Sequence, residues 1–253
     1  MANPGARPKK RSYRIQIPIF LLLAVLLVWG ISWATYARPP LPEALAALES
    51  DDLVTVSDEP WLTFTPGGEI KAGLIFYPGG RIDPRGYSPL MRTIAQEGYL
   101  VVVPSMPINM AIFDANAAER IIAHFPGVDP WAIAGHSVGG VAAAMFTSRN
   151  PGLISGLAIW ASYPAGNSDL SQFEIPVTMI YGEVDPAANR ESVLERAGLL
   201  PADTVYLEIK GGDHHQFGTY LIDPEDDLAL IPRKAQQDVI IQGMLDLLEA
   251  AAQ

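Results

Sequence analysis

Apolar residues occur along the chain in two kinds of stretch. The first is one run of 23 residues without a charge, from Ile15 to Ala37. After residue 53 the apolar runs are short and β-rich, and they alternate with segments of helical periodicity. Such alternation is typical of a mostly parallel β-sheet covered by helices on both faces. We therefore predict one α/β domain over residues 54–253.

The short runs predict eight strands, of which the first two form a hairpin-like edge. They lie near Val54–Val56, Trp61–Thr65, Ala72–Tyr77, Leu100–Pro104, Trp131–Gly135, Gly156–Trp160, Val177–Tyr181 and Thr204–Ile209. Helical patterns fall near Ser88–Glu97, Ala115–His124, Val138–Ser148, Arg190–Ala197 and Lys234–Ala251. The connection at residues 164–175 is too short for a helical lid, so the pattern predicts an open site.

The long run is preceded by basic residues and ends among aromatic ones. At about 1.5 Å per residue it spans roughly 34 Å, enough to cross a bilayer core. We predict a basic cytoplasmic tail at residues 1–14, a transmembrane helix at 15–37 and a stalk at 38–53, with the α/β domain on the outer side. A signal peptide cleaved near Ala37, releasing a secreted domain, is the alternative.

Charge and cysteine content narrow the function classes. Residues 1–14 hold five of the 17 Lys and Arg residues, so the rest of the chain carries 12 against 28 Asp and Glu. So acidic a domain disfavours a nucleic-acid partner. The chain has no cysteine, which excludes disulfides and a cysteine nucleophile.

A Gly-x-Ser-x-Gly motif centred on Ser137 carries the main chemical signal. It follows the predicted strand ending at Gly135 and precedes a predicted helix. Glycines two positions away give the serine room on a tight strand-to-helix turn. At the start of the helix the Val138 N–H is placed to stabilise a developing oxyanion. Ser137 is therefore the predicted nucleophile.

The base and acid are sought in loops after later strands. Of the four histidines, His124 and His136 are expected to cap or to pack, which leaves His214 and His215 in the loop after the last strand. Asp185, with Glu183 in reserve, follows the preceding strand, and Asp185 is equally a candidate helix N-cap. Consecutive residues rarely aim at one ion, so a metal site at residues 213–215 is not predicted.

With these motifs the domain resembles the α/β-hydrolase superfamily, in particular the lid-less branch related to dienelactone hydrolases and small carboxylesterases. The resemblance rests on Tyr77-Pro78-Gly79-Gly80, the Ser137 turn, Gly182-x-x-Asp185 and Gly211-Gly212-Asp213-His214. It implies an α/β-hydrolase fold and the chain order Ser137, Asp185, His214 for a catalytic triad. It also implies that His214 rather than His215 is the base, and that Gly80 N–H, with Arg81 N–H in reserve, is the second oxyanion donor.

The resemblance implies hydrolysis of a small-molecule carboxylic ester without a cofactor. Dienelactone hydrolases use a cysteine nucleophile, so Ser137 departs from their pattern at the reacting atom. Acyltransferases share the same triad and form one alternative. A membrane-tethered binding module without activity is the other.

Overall fold

The computed structural model describes the backbone of residues 13–253 and, except at residues 13–16 and 34, their side chains. Helix α1, Tyr13–Thr35, belongs to one compact unit, and the chain from Ala37 onward forms another. Across the described part of the chain, no helix is both long enough and apolar enough to cross a membrane, so the predicted transmembrane helix is not supported. Residues 1–12 of the predicted basic tail lie outside the described range.

The second unit is built on one eight-stranded sheet in the order β1-β2-β4-β3-β5-β6-β7-β8. Its strands are β1 Val54–Ser57, β2 Leu62–Pro66, β3 Ala72–Tyr77, β4 Tyr99–Val103, β5 Trp131–His136, β6 Gly156–Trp160, β7 Val177–Gly182 and β8 Val205–Ile209. Strand β2 runs antiparallel to both β1 and β4, and all remaining pairs are parallel. The predicted mostly parallel sheet and its hairpin-like edge are therefore confirmed.

Helices cover both faces of this sheet. They are α2 Pro42–Ala46, α3 Ser88–Gln96, α4 Ala117–His124, α5 Val138–Arg149, α6 Arg190–Glu195 and α7 Arg233–Ala251. Alternate side chains of β3 point to opposite faces: Leu74 and Phe76 pack with α3 and α7, whereas Ile75 and Tyr77 pack with α4 and α5. The strand period of two thus divides the core into two layers, as expected for an α/β domain.

The segment at residues 38–53 does not stand apart as the predicted stalk. The Arg38 N–H donates to the carbonyl of Arg81 at 2.7 Å, and the Leu41 N–H donates to the carbonyl of Thr219 at 3.0 Å. In α2 the Ala44 side chain is fully buried. The proline-rich start satisfies its backbone groups on the domain instead of in water, so this segment is part of the α/β unit.

Parallel pairing brings the carboxyl ends of the central strands to one edge. Gly135 near the end of β5 is in register with Tyr77 of β3, and Gly182 of β7 is in register with Ile209 of β8. The described connection between β6 and β7, residues 161–176, contains neither helix nor strand. The edge where these strands end is where ligand sites of open α/β sheets form.

Candidate active site

Ser137 occupies a sharp turn between β5 and α5. Its backbone has φ 54° and ψ −124°, a conformation that a non-glycine residue adopts only at a cost of about 1–3 kcal/mol. Its N–H donates to the carbonyl of Trp160 at 2.9 Å, which fixes the turn to the end of β6. The hydroxyl is thereby held at the beginning of a helix, above the sheet edge.

The two glycines of the motif are required by close backbone contacts. A Cβ at Gly135 would overlap the carbonyl of Gly139, and a Cβ at Gly139 would overlap the carbonyl of Tyr77. The turn therefore needs a hydrogen at both positions, which is the packing reason for the spacing around Ser137.

Asp185, His214 and Ser137 form one continuous hydrogen-bonded chain. His214 Nε2 lies 3.1 Å from Ser137 Oγ, and His214 Nδ1 lies 2.8 Å from Asp185 Oδ2. The Asp185 carboxylate is 1% exposed, and its other oxygen accepts N–H bonds from Ala187 at 2.7 Å and Ala188 at 3.0 Å. A carboxylate beside Nδ1 holds the proton there, so Nε2 is left to accept the serine proton.

The reserve candidates from the sequence lie elsewhere. The Glu183 carboxylate accepts from Gly211 N–H at 2.9 Å and from Lys210 Nζ at 3.1 Å, and the bond from Gly211 is the main cause that lowers its pKa. His215 Nε2 lies 3.9 Å from Asp226, and burial lowers the pKa of this imidazole. The exposed His124 packs edge-on against Trp61. None of these three side chains takes part in the hydrogen bonds that link Asp185, His214 and Ser137.

Two neighbouring backbone N–H groups at the serine turn have no hydrogen-bond acceptor in the described part of the chain. Among residues 13–253, neither Val138 N–H, at the start of α5, nor Gly80 N–H donates a hydrogen bond. An ideal Cβ at Gly80 would lie 3.1 Å from Val138 Cγ1 and 2.9 Å from Met110 Sδ, so the two residues are neighbours. The N–H of Arg81, the reserve donor, is already bonded to the carbonyl of Asn109 at 2.8 Å.

Comparison with known families classifies the chain. The profile of the alpha/beta hydrolase family matches residues 73–238, more than half of the chain. The chain belongs to the alpha/beta hydrolase family. A comparison with curated protein sequences finds no significant match.

Solved structures share the fold of this alpha/beta hydrolase at low sequence identity. An alpha/beta hydrolase enzyme from a sediment metagenome of the Mar Chica lagoon, Morocco, is 16% identical, with TM-score 0.54 over 65% of this chain and 90% of that chain. Est1E from Butyrivibrio proteoclasticus is 11% identical, with TM-score 0.55 over 77% and 98%. The esterase domain of a Rhodothermus marinus protein is 13% identical, with TM-score 0.56 over 76% and 93%.

The loop that carries His214 in this alpha/beta hydrolase is fixed by groups that the sequence did not reveal. The Asp213 carboxylate, 1% exposed, accepts N–H bonds from His215 at 3.1 Å, Gln216 at 2.8 Å and Leu228 at 3.1 Å. The fully buried Gln236 of α7 bonds both the N–H and the carbonyl of Asp213, at 3.0 and 2.8 Å. Only the fold brings α7 to this loop, so no local pattern marks Gln236.

The side chains at 213–215 make separate contacts: Asp213 accepts from the His215 N–H, and His214 lies between Ser137 and Asp185. In the described part of the hydrolase, no group of three or more His, Cys, Asp or Glu side chains is arranged to hold a metal ion. Each ring nitrogen of His214 lies within hydrogen-bond distance of another side chain: Nε2 is close to Ser137 and Nδ1 is close to Asp185.

Proposed function

We propose that this alpha/beta hydrolase cleaves carboxylic esters with Ser137 as nucleophile, His214 as general base and acid, and Asp185 as the orienting carboxylate. The observation that carries the proposal is the unbroken hydrogen-bonded chain from the buried Asp185 carboxylate through His214 to Ser137 Oγ. Nucleophile, base and orienter at these distances are the arrangement that acyl transfer requires.

Acylation of the serine is the first half of the proposed reaction. His214 Nε2 accepts the proton of Ser137 Oγ as the oxygen attacks the ester carbonyl carbon. The carbonyl oxygen becomes an oxyanion that receives hydrogen bonds from the N–H groups of Val138 and Gly80. The tetrahedral intermediate then collapses: the bond to the alcohol oxygen breaks, and His214 returns its proton to that oxygen.

Hydrolysis of the acyl-enzyme follows the same path with water. His214 accepts a proton from a water molecule whose oxygen attacks the acyl carbon, and the bond to Ser137 Oγ breaks as His214 gives that proton back to the serine. Because Asp185 is buried beside Nδ1, its negative charge stabilises the imidazolium in both halves. An oxyanion donor is typically worth about 2.7–4 kcal/mol of transition-state stabilisation.

Three observations support esters as the proposed substrate class. One relative in fold is an esterase domain by its description, and the resemblance at the motifs includes small carboxylesterases. A site without a helical insertion between β6 and β7 suits esters of modest size. Membership of the branch related to dienelactone hydrolases stays a prediction, and Ser137 in place of cysteine favours simple esters over the dienelactone.

The test is hydrolysis of p-nitrophenyl esters of increasing acyl length by the purified full chain. Ser137→Ala and His214→Ala are expected to abolish turnover, whereas His124→Ala, the same change at an exposed histidine, is expected to leave it intact. A folded chain without turnover and without phosphonate labelling of Ser137 would refute the proposal. Faster release of p-nitrophenol with an added alcohol, together with ester exchange, would instead indicate an acyltransferase.

We also propose, from the sequence of residues 1–37 alone, that the domain lies outside the cytoplasmic membrane. Protease accessibility in spheroplasts, which keep the cytoplasmic membrane intact but lack an outer barrier, compared with lysed spheroplasts tests this location. Digestion only after lysis would refute it.

A further inference from the structure

A second chain of hydrogen bonds runs beneath the triad through two fully buried side chains, Tyr87 and His136. Gly79 N–H donates to Tyr87 Oη at 3.0 Å, and Tyr87 Oη lies 2.8 Å from His136 Nδ1. His136 Nε2 lies 3.0 Å from the carbonyl oxygen of His214. This series of hydrogen bonds therefore begins at Gly79, one residue before Gly80, and ends on the backbone carbonyl of His214.

The chemistry of the two ends fixes the direction of every bond. A carbonyl only accepts, so His136 must carry its proton on Nε2 and leave Nδ1 as an acceptor. A backbone N–H only donates, so the Tyr87 hydroxyl accepts from Gly79 and gives its own hydrogen to His136 Nδ1. All donors and acceptors in the chain are matched, with the imidazole neutral.

We propose that Tyr87 and His136 are positioning residues, which hold the loop carrying the Gly80 N–H in register with the backbone of His214. The inference rests on the proposed ester hydrolysis, in which Gly80 and His214 act on the same carbonyl group. Neither Tyr87 nor His136 is assigned contact with the substrate.

The need for such a link follows from the topology. The Gly80 loop follows β3 and the His214 loop follows β8, and β5, β6 and β7 lie between these two strands. Sheet pairing therefore does not connect the two loops directly. The His214–His215 peptide is held on its other side by the His215 N–H, which donates to Asp213. Fixing both sides of this peptide limits the positions that the catalytic imidazole can take.

The surroundings of His136 keep it neutral. Burial, followed by the charge that His214 would carry, lowers the pKa of His136 well below its usual value. Its ring stacks on Phe217 with centroids 5.3 Å apart, and it lies 4.9 Å from the His214 ring. A proton on Nδ1 would force the Tyr87 hydroxyl to turn its hydrogen away in a buried site. The link is therefore compatible only with the neutral imidazole.

The test compares the loss of the hydroxyl group from two buried tyrosines that lie close together in the fold. Tyr87→Phe removes the hydroxyl of the link. Tyr220→Phe is the matched control, because the Tyr220 ring lies 6.2 Å from that of Tyr87 and its hydroxyl has no hydrogen-bond partner within residues 13–253. We expect Tyr87→Phe to lower kcat about tenfold with KM changed less than about twofold, and Tyr220→Phe to change neither.

A double-mutant cycle separates positioning from simple destabilisation. His136→Leu removes both the donor toward the His214 carbonyl and the acceptor for the Tyr87 hydroxyl. If both residues act through one series of hydrogen bonds, Tyr87→Phe adds little to the loss of kcat in His136→Leu. Independent, additive losses would overturn the inference. Thermal unfolding of each variant checks that the chain remains folded.

The outcomes distinguish this inference from the proposed function. If wild-type turnover depends on Ser137 but Tyr87→Phe is as active as Tyr220→Phe, the positioning role is overturned and the proposed function stands. A wild type without turnover or phosphonate labelling overturns both. If the Tyr87 and His136 variants fail to fold, the ¹⁵N chemical shifts of the His136 imidazole in the wild type decide between the outcomes. A neutral imidazole protonated on Nε2 at every pH between 5 and 8 supports the link. An imidazole that titrates in this range, or that is protonated on Nδ1, overturns it.

Discussion

Replacing Asp185 by Asn should inactivate the proposed hydrolase by reversing a tautomer. Oδ1 of Asp185 accepts two backbone N–H bonds, from Ala187 at 2.7 Å and Ala188 at 3.0 Å. In the variant the amide oxygen must take that place, because an NH₂ group there would face two donors at a cost of about 1–3 kcal/mol each. The amide nitrogen is then directed at His214 Nδ1.

An amide facing Nδ1 donates to it, so the His214 proton moves to Nε2. Nε2 then carries a hydrogen toward Ser137 Oγ and no longer accepts the serine proton. A wrong tautomer of this kind lowers kcat on the order of 10⁴-fold, which corresponds to about 5 kcal/mol. Because the side chain keeps its shape and its backbone bonds, the free energy of unfolding should change far less than the activation free energy.

The assay is the initial rate of p-nitrophenyl acetate hydrolysis by the Asp185→Asn chain. Glu183→Gln is the matched control, since it makes the same change at the carboxylate that binds Lys210 and Gly211 instead of the triad. If Asp185→Asn kept more than about a tenth of wild-type kcat, the tautomer argument would be wrong. A comparable loss in Glu183→Gln would identify Glu183 as the acid.

Three further changes test other parts of the site. Gly139→Ala should reduce the free energy of unfolding, measured by urea titration, by about 1–3 kcal/mol, because the new Cβ would overlap a backbone carbonyl. Gly68→Ala is the control: no heavy atom lies within 4 Å of its Cβ, so its free energy of unfolding should hardly change. Gln236→Leu should cost about 1–3 kcal/mol and lower kcat, because the buried N–H and carbonyl of Asp213 lose their partners. His136→Asn should remove a pH-dependent loss of stability that the wild type shows in acid, measured by urea titrations at several pH values.

The direction of that pH effect follows from the pKa of His136. Its value is about 6.5 in the unfolded chain and well below this in the folded protein. Between the two values the unfolded chain binds more protons, so the free energy of unfolding falls with decreasing pH by up to about 1.4 kcal/mol per unit. The contribution is fully present above pH 6.5 and is lost as pH falls toward the folded pKa. Parallel pH profiles in wild type and His136→Asn would contradict this assignment, and stable Gly139→Ala or Gln236→Leu chains would contradict the packing arguments.

Local sequence determined the parts of this protein that depend on near neighbours in the chain. Short apolar runs specified all eight strands within a few residues, because a strand that packs one or both faces against the core needs apolar side chains along its own length. The glycines around Ser137 specified the strand-turn-helix, because the close contact of Gly139 with the end of β3 tolerates no Cβ. The order Ser137, Asp185, His214 is predicted from the resemblance to the α/β-hydrolase superfamily, and in the structure these residues lie one, three and five positions after the ends of β5, β7 and β8.

The tertiary structure decided what depends on residues far apart in sequence. Glu183 and Asp185 are separated by one residue after the same strand, and only the path of the turn directs one at His214 and the other at Gly211. Tyr87 lies 49 positions from His136, and Gln236 lies 23 positions from Asp213. Periodicity reports which side chains are buried, but it carries no information on which distant polar group each buried donor meets. That pairing is fixed only when the sheet and α7 pack, because every buried polar group must then find its partner.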